Sequence, residues 1–548
     1  MKLKVKALIT ILITLLIFPL NLNAKADDDY SWVGAWHTSP VKTNLTVADR
    51  DITPVLAYTT VRSVITVSLG GDNLRLCLTN KYGNKAAYIN RVYVAKTDPN
   101  NESSIIGDLY TVRFGGSKTL TLGREFVYSD PIDMKVEPLD KISISIYFTT
   151  PTTVSTAGLT GGVTYIAAAN QVKEKNLIAP SKLRLDLDGA SYYPIPFVTS
   201  VDVDNPNAYS VVMIGDSSLA NRVPNLLSEK LINGGTRNIG VLQSSIAANR
   251  LLTGGYSGGD GGSIQGDSAV SRFDDDALKL SGVKKIFVKV GANDILHPKL
   301  KSFKGSVPES TAADIIRGYE SLISKAVAKG IEIYFFGITP FKGYGGSDLQ
   351  RYSDAEKTAQ EVNTWLKNNR RINGYIDIDK LRDPADSAKL RTALTTDGLN
   401  LNNLGQIALT DLIPLEVFGL DASRYKTAAE LNRVDPYKGS QSPTAPTKPA
   451  EESTARRGEE PTREDEITTE PVIEDFEPIE EVTEDIPVNS PGKNNKNPYA
   501  NLHEIPGAYR KMSKKQRSGI IFFTSLAVAL TAFGSMYYVN RKKMWEST

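Results

Sequence analysis

The chain has 548 residues, with 64 Lys plus Arg against 62 Asp plus Glu, a formal charge of +2, 41% hydrophobic residues and 23% charged ones. These values exclude wholesale disorder and a multi-span membrane protein, and they give no electrostatic reason to expect a nucleic-acid partner. One cysteine, Cys77, excludes a disulfide framework and a cysteine zinc cluster; three histidines, His37, His297 and His503, leave few candidates for a metal ligand or a general base.

Residues 1–26 read as a signal peptide. Lys2, Lys4 and Lys6 precede the apolar stretch Ala7 to Leu20, and Ala24-Lys25-Ala26 is an A-x-A cleavage site. Residues 30–200 carry strand signals. Leu74, Leu76 and Leu78 alternate with Arg75, Cys77 and Thr79, and Ile142, Ile144, Ile146 and Phe148 alternate in the same way. Gly70-Gly71-Asp72-Asn73 between two such runs signals a hairpin. No helical period appears, so the expectation is a β-sandwich module that packs against its neighbour, with Cys77 as a small buried hydrophobe.

Over 208–425 the pattern changes to short apolar runs alternating with amphipathic stretches. The runs are Val211 to Ile214, Ile286 to Val288, Ile331 to Phe336 and Tyr375-Ile376; the stretches include Ala312 to Ala328 and Asp354 to Leu366. Strand–helix alternation predicts an α/β domain with a doubly wound parallel sheet. The glycine-rich stretch Gly254 to Gly266 lacks the Lys-Ser/Thr ending of a phosphate loop and reads as a surface loop.

Residues 437–508 are rich in Pro, Glu, Asp and Thr. Glu451 to Ile486 alone holds 15 acids and 3 arginines, a local charge of −12, which predicts a disordered, extended stalk. Residues 519–539 are uncharged and long enough to cross a bilayer, leaving 541–548 as a cytoplasmic tail. The expected location is therefore the cell membrane, single-pass, with the ectodomain outside. Arg510 to Arg517 are basic on the outer side, against the positive-inside tendency, so the orientation rests on the signal peptide. That basic segment is also the candidate contact for an envelope protein partner.

Four short polar motifs fall at strand ends or before a helix: Gly215-Asp216-Ser217-Ser218, Ser245 to Leu252, Gly291-Ala292-Asn293-Asp294, and Thr396 to Gly405. Doubly wound sheets place their sites on that rim. With these blocks in order, the chain resembles the SGNH (GDSL) esterase and acylhydrolase family, in the secreted branch where a β-rich module comes first. The likeness extends over Trp32 to Trp36, Arg62 to Gly83 and Leu381 to Asp386. It implies a flavodoxin-like three-layer fold, no cofactor or metal, and Ser217 as nucleophile. It further implies an oxyanion hole from the N–H groups of Ser217 and Ala248 with the Asn293 side chain, and Asp397 orienting a histidine three residues later.

That position is Asn400. A neutral amide accepts no proton near neutral pH, so the expected triad lacks its base. Ala248 stands where the family has its oxyanion glycine, and Asn221 where a glycine often follows the nucleophile. His297, three residues after Asp294, is the candidate surrogate base, although its plainer reading is a helix-start or surface histidine. His37 reads as a packing residue and His503 lies in the stalk. Two functions follow as expectations: a membrane-anchored extracellular esterase, degenerate or slow, acting on acyl or acetyl esters of carbohydrate or lipid; or a catalytically silent domain that binds such esters or serves as an envelope scaffold.

Overall fold

The computed structural model describes residues 29–437 apart from 45, 48–49, 52, 188–189, 221, 256–261, 301–306 and 345–348. The expected signal peptide, the stalk beyond Tyr437, the membrane helix, the tail, His503 and Asn221 lie outside the described residues. Among the described residues no helix is long and apolar enough to cross a membrane.

Every described element from Trp32 to Asp204 is a strand. One antiparallel sheet has the order Trp32–His37, Val198–Asp204, Leu74–Thr79, Phe126–Tyr128. A second has the order Asn101–Thr111, Arg91–Asp98, Lys141–Phe148, Thr59–Thr66, Gly162–Ala168, Ser181–Lys182. Leu74, Leu76 and Leu78 from the first sheet and Ile142, Ile144 and Ile146 from the second belong to one core cluster. Their period-2 spacing sends each set to one face, so the two faces bury each other. Cys77 is buried within this region, and burial pushes its thiol up to about 12.

The hairpin expected at Gly70 to Asn73 is absent. Thr59–Thr66 and Leu74–Thr79 lie in different sheets, and the segment crosses between them. The glycines answer to space: a Cβ on Gly70 would sit 2.8 Å from the Val136 carbonyl oxygen, and one on Gly71 2.7 Å from that of Asp204. Close backbone approach and tight turns select the same residue, which is why the two were confounded.

The second region holds a five-stranded parallel sheet in the order Ile239–Ser245, Tyr209–Gly215, Val283–Lys289, Glu332–Phe336, Gly374–Ile376. Numbered along the chain this is 2-1-3-4-5. Val212, Ile214, Ile286 and Val288 pack against the helices Ala312–Ala328 and Leu349–Asn368. Val211, Met213 and Phe287 face the other way, toward Val223–Asn233 and Asn403–Asp411. Helices therefore cover both faces, and the strands read as near-continuous apolar runs for that reason.

The two regions belong to one contact unit that runs to Pro443; the second unit, Thr444–Thr548, lies outside the described residues. Strand Trp32–His37 crosses strand Ile239–Ser245 where Gly34 meets Gly240. A Cβ on Gly240 would lie 2.2 Å from the Gly34 carbonyl oxygen, and one on Gly34 2.6 Å from Leu242. Gly34 N–H donates to the Ser281 carbonyl at 2.9 Å, and Val241 N–H to Ser68 Oγ at 2.9 Å.

Candidate functional site

The sheet order reverses direction at strand Tyr209–Gly215, whose neighbours leave it on opposite sides. Such a switch point opens a crevice at the carboxyl ends of the strands. Ser217 stands there, opening the short helix Ser217–Ala220. The turn before it is fixed by buried Asp216, whose N–H donates to the Lys289 carbonyl at 3.1 Å and whose carboxylate accepts from Ser218 N–H at 2.9 Å and from the Ser218 hydroxyl. Among the described residues the N–H of Ser217 makes no hydrogen bond, nor does that of Ala248, so both are available to a ligand oxygen.

Ala248 follows strand Ile239–Ser245 in the left-handed region, at φ +58°. That conformation suits glycine and costs a residue with a Cβ about 1 kcal/mol or more. The N–H therefore keeps the direction a glycine would give it, under strain. Asn293, 6% exposed, donates from Nδ2 to the Asn249 carbonyl at 2.9 Å, tying the third strand's loop to the loop of Ala248.

Beneath both loops lies Arg272, buried at 2% exposure and without a role in the sequence reading. Its guanidinium donates to Asn249 Oδ1 at 2.9 Å, the Ser244 carbonyl at 2.7 Å, Ser39 Oγ at 3.1 Å and the Gly215 carbonyl at 3.3 Å. Its charge is met by Asp276 at 2.9 Å. One side chain thus holds the ends of the first two strands and a residue of the β-rich region.

The last motif completes the row. Ser217 Oγ donates to Asn400 Oδ1 at 3.3 Å, and Asn400 Nδ2 donates to Asp397 Oδ2 at 2.6 Å. Asp397 Oδ1 also accepts from the Leu399 and Asn400 N–H groups at 2.9 and 2.7 Å. Partial burial pushes the Asp397 carboxyl up, but these donors outweigh it and hold it below the usual carboxylate range. Thr395 Oγ1, a second residue not singled out in the sequence, donates to the Asn400 carbonyl at 2.8 Å. Ser217, Asn400 and Asp397 thus form one hydrogen-bonded row.

His297 begins a short 3-10 turn as its sequence suggests, but it is buried rather than on the surface, at 6% exposure. Its Nδ1 accepts from Arg250 Nη1 at 3.1 Å; burial and then that cation pull its pKa down to about 3. A ring that protonates only in acid is a poor general base near neutrality. Asp294 caps Leu251 and Leu252 N–H at 2.6 and 2.8 Å; burial nevertheless pushes it up to about 6. His37 is buried against Ser200 Oγ at 2.9 Å, and burial lowers it to about 4. Among the described residues no group of three or more His, Cys, Asp or Glu side chains converges to hold a metal ion.

A doubly wound sheet with a serine at its switch point, donors beside it and a carboxylate-buttressed partner has the form of a serine acyl-hydrolase site. Residues 211–413 match the family model described as GDSL-like Lipase/Acylhydrolase, which supports placing this region in the GDSL/SGNH lipase–acylhydrolase family. Among curated proteins no sequence match is found. Solved structures similar to the chain include a GDSL-like lipase from Bacteroides thetaiotaomicron, with 15% identity over 38% of this chain and 88% of that one and a TM-score of 0.29. An acetyl xylan esterase shows 18% identity over 37% and 96%, with a TM-score of 0.29. A mutant of an acetyl-xylooligosaccharide esterase from Geobacillus stearmophilus shows 14% identity over 39% and 97%, with a TM-score of 0.29.

Proposed function

We propose that this protein binds acyl or acetyl esters of carbohydrate or lipid at Ser217 and hydrolyses them slowly, presented outside the cell on an acidic stalk with one membrane helix. The observation that carries the reading is the Asn400 amide held between Ser217 Oγ and Asp397. In the full reaction Ser217 Oγ attacks the ester carbonyl, its proton leaves to a base, and the carbonyl oxygen gains charge against the N–H groups of Ser217 and Ala248 and the Asn293 amide. The retained donors serve that charge. Asn400 orients the hydroxyl but takes no proton, so Ser217 attacks as the neutral alcohol with its proton passing to water. The ester C–O bond breaks as its alcohol leaves protonated by water, and a second water then cleaves the acyl-serine to acid and free Ser217. Without a placed base each step is slow. The second reading, a silent pocket that binds esters without turning them over, draws on the same amide. Export and anchoring rest on the basic-apolar N-terminus and on the uncharged run 519–539.

Turnover of p-nitrophenyl acetate by the full-length protein tests this. The wild type is expected barely above buffer. Asn400→His is expected to raise the rate on the order of 10²- to 10⁴-fold, the usual worth of a placed general base. The gain should rise with pH through an imidazole pKa above its usual value, because Asp397 favours the charged ring, and Ser217→Ala should remove it. A fast wild type that Ser217→Ala abolishes would refute the slow reading.

A further inference from the structure

A cavity of about 270 Å³ opens beside Ala248, and half of its wall comes from the β-rich region. From the α/β side it is lined by Ala220, on the helix that Ser217 begins, and by the turn through Ala248. From the β side come Ser39, Thr160, Tyr192 and Tyr193. The join is packed: Leu159, Leu185 and Tyr192 form a small apolar cluster with Ile264 of the α/β region. Among the described residues none that lines the cavity carries a charge.

That composition discriminates among ligands. The wall itself offers an anion no cation, and the cations next to it are engaged or in water. Arg272 behind Ser39 is paired with Asp276, Arg250 donates to Gln265, and Lys182, exposed, lies 5.6 Å from the Tyr193 ring centroid. Burying an anionic group against such a wall is costly. A fatty chain asks for a continuous apolar wall, whereas here the hydroxyls of Ser39, Thr160 and Ser191 and the Gln265 amide alternate with apolar surface. Tyrosine offers an apolar ring face and a polar tip together, and hydroxyl and amide groups supply convergent hydrogen bonds. A sugar ring presents the complementary pattern of C–H faces and hydroxyl edges.

We infer that the β-rich region is the specificity element of the site, and that its Tyr192, Tyr193 and Thr160 hold an uncharged sugar ring whose ester reaches Ser217. The inference rests on the ester-binding reading above and narrows its substrate class. It also gives the β-rich region a task beyond packing.

The full-length protein carrying Asn400→His, which supplies a rate to read, is assayed on three esters: an O-acetylated methyl hexopyranoside, O-acetylated sialic acid as the anionic sugar, and p-nitrophenyl octanoate. The neutral glycoside is expected to have the highest kcat/KM of the three. Tyr193→Ala is expected to lower its kcat/KM about tenfold through KM, and Thr160→Trp, which fills the cavity, to lower it further. Tyr193 is half-buried and outside the cores, so its truncation leaves folding intact; thermal unfolding checks both variants. Preference for the octanoate, or glycoside kinetics untouched by both substitutions, overturns the sugar assignment while leaving ester hydrolysis standing. If Asn400→His turns over no ester at all, p-nitrophenyl acetate included, the functional reading itself fails.

Discussion

On the oxyanion side of the site Asn249, Arg272 and Asn293 are buried and share partners with the strand ends, whereas on the opposite side Asp397 and Asn400 stand exposed on a surface turn. The first side is over-determined: removing any one member strands others in a low-dielectric interior. The second is local, held by donors within five residues of Asp397 and by Thr395. A change of the base residue is therefore nearly free for folding, while loss of the oxyanion scaffold is not. On the proposed reading, this difference in support lets the donors persist beside an amide at position 400, whether or not the activity does.

Four perturbations test that contrast, from the largest expected effect to the smallest. Arg272→Met removes the counter-charge of Asp276 and the donors to Asn249 and Gly215, and should cost about 3–5 kcal/mol in urea unfolding, as broken buried pairs do. A loss under about 1 kcal/mol would show that the oxyanion side is no more constrained than the other.

Acid should strike the buried side next. His37 and His297 stay neutral in the fold down to about 4 and about 3, against 6.5 for the free ring. Their contribution is complete above 6.5 and is lost as pH falls toward those values, because the unfolded chain takes up the protons. Asp294, raised from 3.8 to about 6, acts with the opposite sign: its contribution is present below 3.8 and lost as pH rises through about 6. His297→Gln keeps an acceptor for Arg250 and should flatten the acid slope of unfolding free energy by up to one proton, about 1.4 kcal/mol per pH unit. An unchanged slope would contradict the buried neutral ring.

Ala248→Gly should relieve the positive φ and raise stability by about 1 kcal/mol, read as a higher Tm. A fall in Tm would mean that the methyl group contributes more than the strain costs. Asn400→Ser, on the exposed turn, should change stability by less than about 0.5 kcal/mol. A larger loss would show that the turn depends on the amide.

The sequence carried the parallel strands and the four motifs, because apolar runs and loop residues at their ends are local patterns. Ser217, Asp397 and Asn400 stand in those motifs, and the structure brings the three side chains into one hydrogen-bonded row. Arg272 was not legible, since a single arginine in Ala269–Phe273 shows no sign that the strand ends, Ser39 and Asn249 will converge on it. Thr395 sits one residue outside its motif and serves through a backbone carbonyl. The cavity wall was hidden as well: Thr160 and Tyr193 come from loops whose neighbours are set by pairing over long separations. The misread turn at Gly70 has that origin too, because its glycines fit a local turn while its strands pair elsewhere.

The crossing of Gly34 over Gly240 bears on how this chain can be cut and exchanged. The stretch between 200 and 208 looks like a place to separate two modules, yet the backbones on either side of it touch at a point with no room for a methyl group. Residues 208–425 expressed alone would present Leu242 and the edge of strand Ile239–Ser245 to water. A replacement β-rich region from a relative would have to bring its own glycine to that crossing, so the inheritable piece is the pair of regions together.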